Sequence, residues 1–280
     1  MPKTLIVLAL LAPLAVGAAQ DGGDGGPLPR SDLFHPLLAD PKQPQFFASF
    51  ISLVAPRLET QAAAVGLGEN IGLFRSLSGR WQLNIAAGAF SQFNMRTASN
   101  DLLNTDYIVG FPLSWRSDGT SVRFRFYHQS SHLGDEFLLH AQPTRVNLSY
   151  EAVEVLASHE LGGWRAYGGG EYILRRDPDE LDRALLHAGL EYRNPGTVMR
   201  LGRMGAGRVV AAVDAKSIEE RAWRVGWSFR AGLEFGPARP GMVPGRRWSL
   251  TVDGYDGPGP FGQFYADDLS FVGVGLHFAL

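Results

Sequence analysis

The chain has 280 residues with 26 basic and 28 acidic side chains, and its formal net charge of -2 excludes the strong basic excess typical of nucleic-acid-binding proteins. It contains no cysteine, which excludes disulfides, thiolate metal sites and a lipid-modified N-terminal cysteine. Hydrophobic residues make up 45% of the chain and glycine occurs 34 times, a composition too apolar for disorder and too rich in glycine for a helical bundle.

The first 19 residues have the pattern of a secretory signal peptide. Lys3 gives a short positive region, residues 5–14 form an apolar core, and small residues at 16–19 precede the first acidic residue. A membrane-spanning helix needs about 20 apolar residues, and no later stretch of the chain approaches that length. We therefore predict cleavage after Ala18 or Ala19 and export of the mature chain.

Residues 20–45 are predicted to form a periplasmic lead-in. Its first part is rich in glycine and acidic residues, which indicates a flexible leader. Its second part, residues 32–41, is bounded by prolines and contains four large apolar residues. We expect these to pack on the base of the following β-structure, with insertion into its interior as the less favoured alternative. They are Leu33, Phe34, Leu37 and Leu38.

From residue 46 to residue 280, apolar and polar residues alternate with period two. The clearest runs are 81–93 and 223–235, each with one apolar and one polar face, as in a β-strand. We count about twelve strands. The same alternation recurs at 107–115, 122–126, 146–150, 186–192, 248–252 and 272–280.

Two all-β architectures fit this alternation: a soluble periplasmic β-sandwich and an antiparallel outer-membrane β-barrel. The best runs span about 11 to 14 residues, whereas soluble strands usually have about 5 to 6. Aromatic residues also stand at both ends of the apolar faces, for example Trp81 and Phe93, or Trp223 and Phe235. Aromatic girdles flank the lipid-facing band of transmembrane barrels, so length and girdles both favour the barrel.

Connection lengths favour the same architecture. Tight turns and long polar loops alternate along the chain, as they do between the periplasmic and outer ends of a barrel. One connection is an exception: residues 236–246 are extended and rich in proline and glycine, although they fall at the periplasmic end, where tight turns are predicted. The tight turns are predicted at 76–79, 117–120 and 194–196, and the long loops at 95–104, 133–143, 175–183 and 257–268.

These features predict a transmembrane barrel in the outer membrane of a Gram-negative-type bacterium. The final strand, which ends in Phe278-Ala279-Leu280, resembles the C-terminal signal of outer-membrane proteins. That resemblance implies the barrel-assembly machinery and outer-membrane lipid as partners, and the charge balance predicts no nucleic-acid partner.

Charged residues of both signs fall on the inward face, which indicates an interior filled by paired charges. With about twelve strands, we predict that the barrel is not a general porin. The inward charges are Arg123, Arg125, Glu171, Glu191, Arg193, Arg224, Arg230 and Glu234.

One segment, residues 127–136, carries the only candidate for catalytic chemistry. His128 and Ser130 continue the lipid-facing side at the outer end of a strand, with one residue between them. Alternate residues on one face are close enough for an imidazole to accept a seryl proton. The hypothesis takes Ser130 as nucleophile and His128 as base in an acyl-ester hydrolase.

This His-x-Ser arrangement resembles that of outer-membrane phospholipase A and the lipid A deacylases, barrels whose active sites face lipid. The resemblance implies a third residue that orients the histidine, supplied from the next strand. The matching outward positions are Gln142 and Thr144, and Asp135, Glu136 or His140 could act from the loop. The backbone near Gly134 is the predicted oxyanion donor.

Over a longer span, the chain resembles a bacterial family, domain of unknown function 1207. The residues that carry the resemblance are Asp32 to Pro41 and the run Ser-Ser-His-Leu-Gly-Asp-Glu at 130–136. It implies an exported, barrel-like protein and no established activity.

No resident cofactor is predicted, although calcium is an open alternative. Carboxylates near the outer loops, Asp253, Asp256, Asp267 and Asp268, are potential calcium ligands. Sequence therefore leaves two functions open: a barrel without enzymatic activity, and a lipolytic serine hydrolase.

Overall fold

The computed structural model describes residues 25–56, 58–142, 146–202, 205–236 and 247–279. The predicted signal peptide and nearly all of the Pro/Gly-rich connection lie outside these residues, as does Leu280. In the described part of the chain, no helix is long and apolar enough to cross a membrane.

Antiparallel strands dominate the described residues, whose helices with complete bounds are one short α-helix and two 3-10 helices. The strands are β1 (Gly26–Pro27), β2 (Phe46–Ala55), β3 (Leu58–Arg75), β4 (Trp81–Asn94), β5 (Leu102–Ser117), β6 (Thr120–Leu133), β7 (Leu148–Leu161), β8 (Trp164–Asp177), β9 (Ala184–Arg193), β10 (Met199–Arg200), β11 (Ala206–Ile218), β12 (Arg224–Gly236), β13 (Arg247–Pro258) and β14 (Asp268–Ala279). The helices are α1 (Asp135–Ala141), Glu219–Arg221 and Gly262–Phe264.

Twelve of these strands close into one barrel. Each pairs with its neighbours in chain order, β14 pairs with β2, and β3 pairs with both β2 and β4. The two-residue strands β1 and β10 lie at the margin, paired with β3 and β11. The prediction of an antiparallel barrel of about twelve strands is confirmed, and the sandwich alternative is wrong.

The two ends of the barrel differ in their connections. At what we call the turn end, β3–β4, β5–β6 and β7–β8 are joined by five residues or fewer. At the opposite loop end lie residues 95–101, 134–142, 146–147, 178–183 and 259–267. One predicted tight turn is wrong: after Asn194 the chain continues through β10 before it enters β11, because Met199 and Arg200 pair with β11.

The outward face carries the apolar residues, as the alternation predicts. On β6, for example, Phe124 and Phe126 are exposed whereas Arg123 and Arg125 are buried inside. Two predicted girdle residues differ in detail. Phe235 is covered by the stacked ring of Trp248, and Trp223 lies in the turn before β12.

The segment between β1 and β2 lies inside the barrel, which corrects the prediction that it packs on the base. We call residues 28–45 the plug segment. Phe34 lies between two guanidinium groups of the barrel wall, with ring-centroid distances of 4.6 Å to Arg123 and 4.7 Å to Arg165. Phe34 and Leu37 also pack on Leu156 and Tyr167 of the wall.

The apex of the plug segment reaches the loop-end half of the lumen. Asp40 Oδ1 lies 2.9 Å from Lys216 Nζ, and Lys42 forms an ion pair with Asp106. Burial is the largest single influence and would raise the pKa of Asp40. The charge of Lys216, hydrogen bonds from Lys216 and from the backbone N–H of Lys42, and a further nearby charge together outweigh it and hold that pKa below its usual range. The plug segment is therefore tied to opposite walls by charge as well as by apolar contact.

The remaining lumen is crossed by ion pairs between strands. Arg123 and Arg125 both bind Glu154, with N–O distances of 2.7 and 2.6 Å. Further pairs join Arg165 to Glu191, Arg193 to Glu234 and Arg230 to Asp253. Arg224, predicted to face inward, instead lies at the loop end, half exposed and paired with Asp268.

Candidate active site

His128 and Ser130 face outward from β6, near the loop end, as predicted. Their chain neighbours Tyr127, Gln129 and Ser131 are buried in the lumen, so the strand alternates as its sequence requires. The residues of one face lie two positions apart, about 6.6 Å along a strand. A serine and a histidine thus share a lipid-facing surface, where apolar side chains are the rule.

The residue that binds His128 is Glu151 of β7. The two residues are direct partners in the β6–β7 register, and His128 Nδ1 lies 3.0 Å from Glu151 Oε1. Because an ionised carboxylate only accepts hydrogen bonds, Nδ1 carries the proton. The Nε2 of a neutral His128 is then the basic nitrogen, as a general base requires.

Glu151 was not among the orienting partners predicted from sequence. Helix α1 and the residues after it lengthen the connection, so β7 begins only at Leu148 and its register places Glu151 opposite His128. The sequence did carry a signal for it. On the outward face of β7, Glu151 precedes Val153, Val155 and Ala157, and a carboxylate is costly on a lipid-facing strand.

The predicted partners lie elsewhere. Asp135 and Glu136 are exposed in the first turn of α1, and Gln142 caps the end of that helix with a left-handed backbone, φ 45°. His140 pairs with Asp101 at 2.9 Å. Thr144 lies outside the described residues. Within the described parts of the chain, no hydrogen bond joins any of these residues to His128.

Ser130 has no hydrogen-bond partner among the described residues, and its Oγ is not bonded to His128 in this conformation. Its strand neighbours across the register are Tyr107 of β5 and Ser149 of β7. Catalytic hydrogen bonds are often long or open before substrate binds. A rotation of the short Ser130 side chain is enough to change which neighbour it faces.

An open polar groove of about 920 Å³ begins at Ser130 and extends over β7 and β8. We call it the polar groove. A bulge after Glu151 shifts the β7–β8 register, and Arg175 becomes the direct partner of Glu151. Among the described residues, Arg175 makes no ion pair, so its positive charge is available in the groove. The groove is lined by His132, Ser149, Glu151, Arg175, Asp177 and Arg183, among others.

The backbone N–H predicted to stabilise the oxyanion already donates a hydrogen bond within the protein. The backbone N–H of Gly134 donates to the carbonyl of Leu103 at 3.3 Å, and a Cβ at this position would lie 1.9 Å from the carbonyl oxygen of Leu102. Glycine is required here because two segments of the backbone, at Gly134 and Leu102, approach each other closely. Gly134 therefore closes the strand end rather than presenting an amide to the site.

The predicted calcium ligands are dispersed. Asp253 lies in the lumen between Arg230 and His277, whereas Asp268 binds Arg221 and Arg224 at the loop end. In the described residues, the group of carboxylate and imidazole side chains close enough for a metal ion is Glu154, Glu171 and His187, within 4.8 Å. Glu154 already accepts hydrogen bonds from two arginines there.

Aromatic residues lie on the outward face of the barrel near the loop end and near the turn end. Tyr107, next to Ser130, is half exposed on the outward face, and its ring lies 6.0 Å from that of His132. At the turn end, Trp81 pairs with Trp115, and Trp164 packs on Tyr192. Aromatic girdles mark the interfacial levels of a bilayer, and Tyr107 is such an outward aromatic residue beside Ser130.

Solved structures with similar folds include outer-membrane phospholipases. Outer membrane phospholipase A from Escherichia coli is 15% identical, with a TM-score of 0.58 over 87% of this chain and 92% of that chain. A mutant of that enzyme, with an active-site asparagine changed to alanine, is 16% identical, with a TM-score of 0.57 over 87% of this chain and 92% of that chain. The Salmonella typhi enzyme, a dimer with bound calcium, is 15% identical, with a TM-score of 0.54 over 84% of this chain and 91% of that chain.

At such identities, this similarity shows the fold alone. A search of the curated proteins found no match to the chain. The model of one family, described as protein of unknown function (DUF1207), matches residues 18–280. The match covers more than nine-tenths of the sequence, and it agrees with the resemblance carried by residues 32–41 and 130–136. The chain therefore belongs to the DUF1207 family.

Proposed function

We propose that the protein is a lipolytic serine hydrolase of the bacterial outer membrane, with Ser130, His128 and Glu151 as its catalytic triad. The observation that carries the proposal is the hydrogen bond from His128 Nδ1 to Glu151 on a surface that otherwise meets lipid. A structural role does not require an ion pair there, since aliphatic residues stabilise that face better. The known function of the similar phospholipase barrels gives independent support.

The proposed reaction uses the three residues in sequence. His128 Nε2 takes the proton of Ser130 as Oγ attacks an acyl ester carbonyl, and Glu151 stabilises the imidazolium through Nδ1. His128 then protonates the leaving alkoxide. A water molecule, deprotonated by His128, hydrolyses the acyl-serine and regenerates Ser130. Arg175 in the polar groove supplies positive charge next to this centre.

The substrate class follows from the position of the site. An outward site beside Tyr107, near the loop end, meets the ester groups of the bilayer itself. The lipid therefore needs no passage through the lumen. We propose that the signal peptide is removed after export, that the loop end is the outer end, and that the substrate is a membrane acyl-ester lipid such as a phospholipid.

The decisive test incubates the refolded barrel with long-chain glycerophospholipid in mixed micelles and measures released fatty acid, with and without calcium. We expect release by the wild type. Ser130→Ala and His128→Ala should each lower the rate by about a thousandfold or more while the heat-dependent gel mobility of a folded barrel persists. Absence of release by the wild type, or unchanged release by Ser130→Ala, would refute the triad.

The plug segment supports a second proposal, that the lumen does not conduct as a general porin. The described part of the lumen contains a cavity of about 140 Å³ at the loop end and another of about 210 Å³ at the turn end. The plug segment lines both cavities. In planar bilayers we expect no large, steady conductance, and channels of porin size would contradict this expectation.

A further inference from the structure

On the side of His128 opposite the polar groove, the outer wall has an apolar depression of about 380 Å³. We call it the apolar groove. Its floor is formed by Ala87 and Ala89 of β4, and His128 stands at its edge. Its walls are Leu67 of β3 with Tyr107 and Val109 of β5.

Strand register connects the apolar groove with the triad. Ser130 pairs with Tyr107, which pairs with Ala89, and Ala89 pairs with Leu67. In the next outward row, His128 pairs with Val109, and Val109 pairs with Ala87. Both rows thus run from a catalytic residue, across β5, onto the two alanines.

The depression arises from residue size. The outward positions of β4 that flank the alanines carry Ile85 on one side and, beyond Ser91, Phe93 on the other. Because Ala87 and Ala89 occupy two neighbouring outward positions, they leave a gap among the larger side chains of the outer wall. Such a gap, lined by apolar side chains, favours an apolar occupant because filling it restores dispersion contacts.

The two grooves beside the triad therefore differ in polarity. The polar groove, over β7 and β8, contains arginine and acidic side chains, whereas the apolar groove, over β4 and β5, is apolar. An acyl-ester lipid has the same division, with its carbonyl at the junction between chain and headgroup. Ser130 is positioned between the two grooves.

We propose that the apolar groove is the acyl-chain subsite of the enzyme, with Ala87 and Ala89 as its specificity-determining residues. The proposal rests on the hydrolase function above and adds the direction of the substrate: acyl chain over β4, headgroup over β8.

The test compares ethyl and dodecyl fluorophosphonates, which phosphonylate an active serine, by following the mass of the intact protein in detergent. The fluoride leaves as Ser130 Oγ bonds to phosphorus, and the serine proton passes to His128. We expect the dodecyl probe to react at least about tenfold faster than the ethyl probe, the effect of burying roughly two methylenes.

Ala89→Phe fills the apolar groove without touching the triad. It should remove the advantage of the dodecyl probe, so that the ratio of the dodecyl rate to the ethyl rate falls to about one. Ala231→Phe is the matched control, because Ala231 is an exposed outward alanine on β12, on a distant part of the wall. It should keep the chain-length preference. Ala87→Leu is a milder second variant if Ala89→Phe does not fold.

The outcomes separate the two proposals. If neither probe labels Ser130 of the folded wild type, the hydrolase function is refuted and this inference falls with it. If both probes label Ser130, but Ala89→Phe and Ala87→Leu keep the wild-type chain-length preference, the acyl subsite is refuted while the hydrolase function stands.

Discussion

Ser130 and Ser131 are adjacent in sequence, yet they belong to regions of opposite character. Ser131 points into the lumen, where its hydroxyl donates to Asp106 and lies 2.9 Å from Asn104 Oδ1. Ser130 points outward into an open groove, without a partner among the described residues. The lumen gives the Ser131 hydroxyl two carboxyl or amide oxygens as acceptors, whereas the outer wall leaves a nucleophile and a cation without such partners among the described residues. Hydrogen bonding thus separates the structural serine from the candidate catalytic one.

The largest effect expected from this difference concerns two glutamates. Glu154 is fully buried between Arg123 and Arg125, so Glu154→Ala leaves two buried cations without their counter-charge. We expect a loss of about 3–5 kcal/mol in the free energy of unfolding. The measurement is the urea midpoint of the folded band in gel mobility. A change below about 1 kcal/mol would show that the lumen does not depend on this pair.

Glu151 should behave in the opposite way. Its pair with His128 is partly exposed, so Glu151→Ala should change the free energy of unfolding by less than about 1 kcal/mol. Hydrolysis should fall about a hundredfold, because the imidazolium loses its partner. Glu151→Gln keeps an oxygen that can accept from Nδ1 and should restore part of the rate. Equal rates in Glu151→Ala and the wild type would exclude Glu151 from catalysis.

Ser131→Ala provides the direct contrast with Ser130→Ala. It removes hydrogen bonds to Asp106 and Asn104, which should lower the free energy of unfolding by about 1–2 kcal/mol. Fatty-acid release should stay within about twofold of the wild type, since Ser131 faces the lumen. A loss of activity as large as that of Ser130→Ala, in a folded protein, would break the assignment of roles.

The smallest effect is a pH dependence of the plug segment. The pKa of Asp40 lies below its ordinary value of 3.8, so its ionised form stabilises the folded state above that pH. As the pH falls further, through the lowered pKa, this contribution is lost. The stability difference between the wild type and Asp40→Asn should be constant from neutral pH to about pH 4 and then shrink, by on the order of 1 kcal/mol.

Urea midpoints at a series of pH values measure that difference. Lys216→Met combined with Asp40→Asn removes both charges and serves as the control, with no such dependence expected from this pair. A difference that grows on acidification would have the wrong sign for a carboxylate with a lowered pKa.

Sequence patterns were sufficient for the wall of the barrel but not for its contents. Alternation assigns Arg123, Phe124 and His128 to their faces because the period of a strand is two, whatever its neighbours are. The placement of the plug segment depends on partners far away in sequence. Asp40 meets Lys216, and Leu38 donates its backbone N–H to Glu191. No local pattern contains that information.

The candidate site shows the same division. The outward positions of His128 and Ser130 follow from parity on a single strand. The identity of the third residue requires the register between β6 and β7, and helix α1 sets how much chain the connection uses. The length of a connection that contains a helix cannot be read from alternation alone. Glu151 was therefore missed, although it is a carboxylate that precedes Val153, Val155 and Ala157 on the outward face of β7.

The topology of the plug segment has a mechanical consequence. Both of its ends lie at the turn end, where Gly26 and Pro27 pair with Arg75 and Phe74, and Phe46 pairs with Phe278. The segment therefore enters and leaves the lumen at the same end of the barrel and does not pass through to the loop end. Among the described strand pairs, withdrawal of the segment toward that side requires only the two-residue pairing of β1 with β3 to open. The barrel wall can stay closed while its contents are withdrawn.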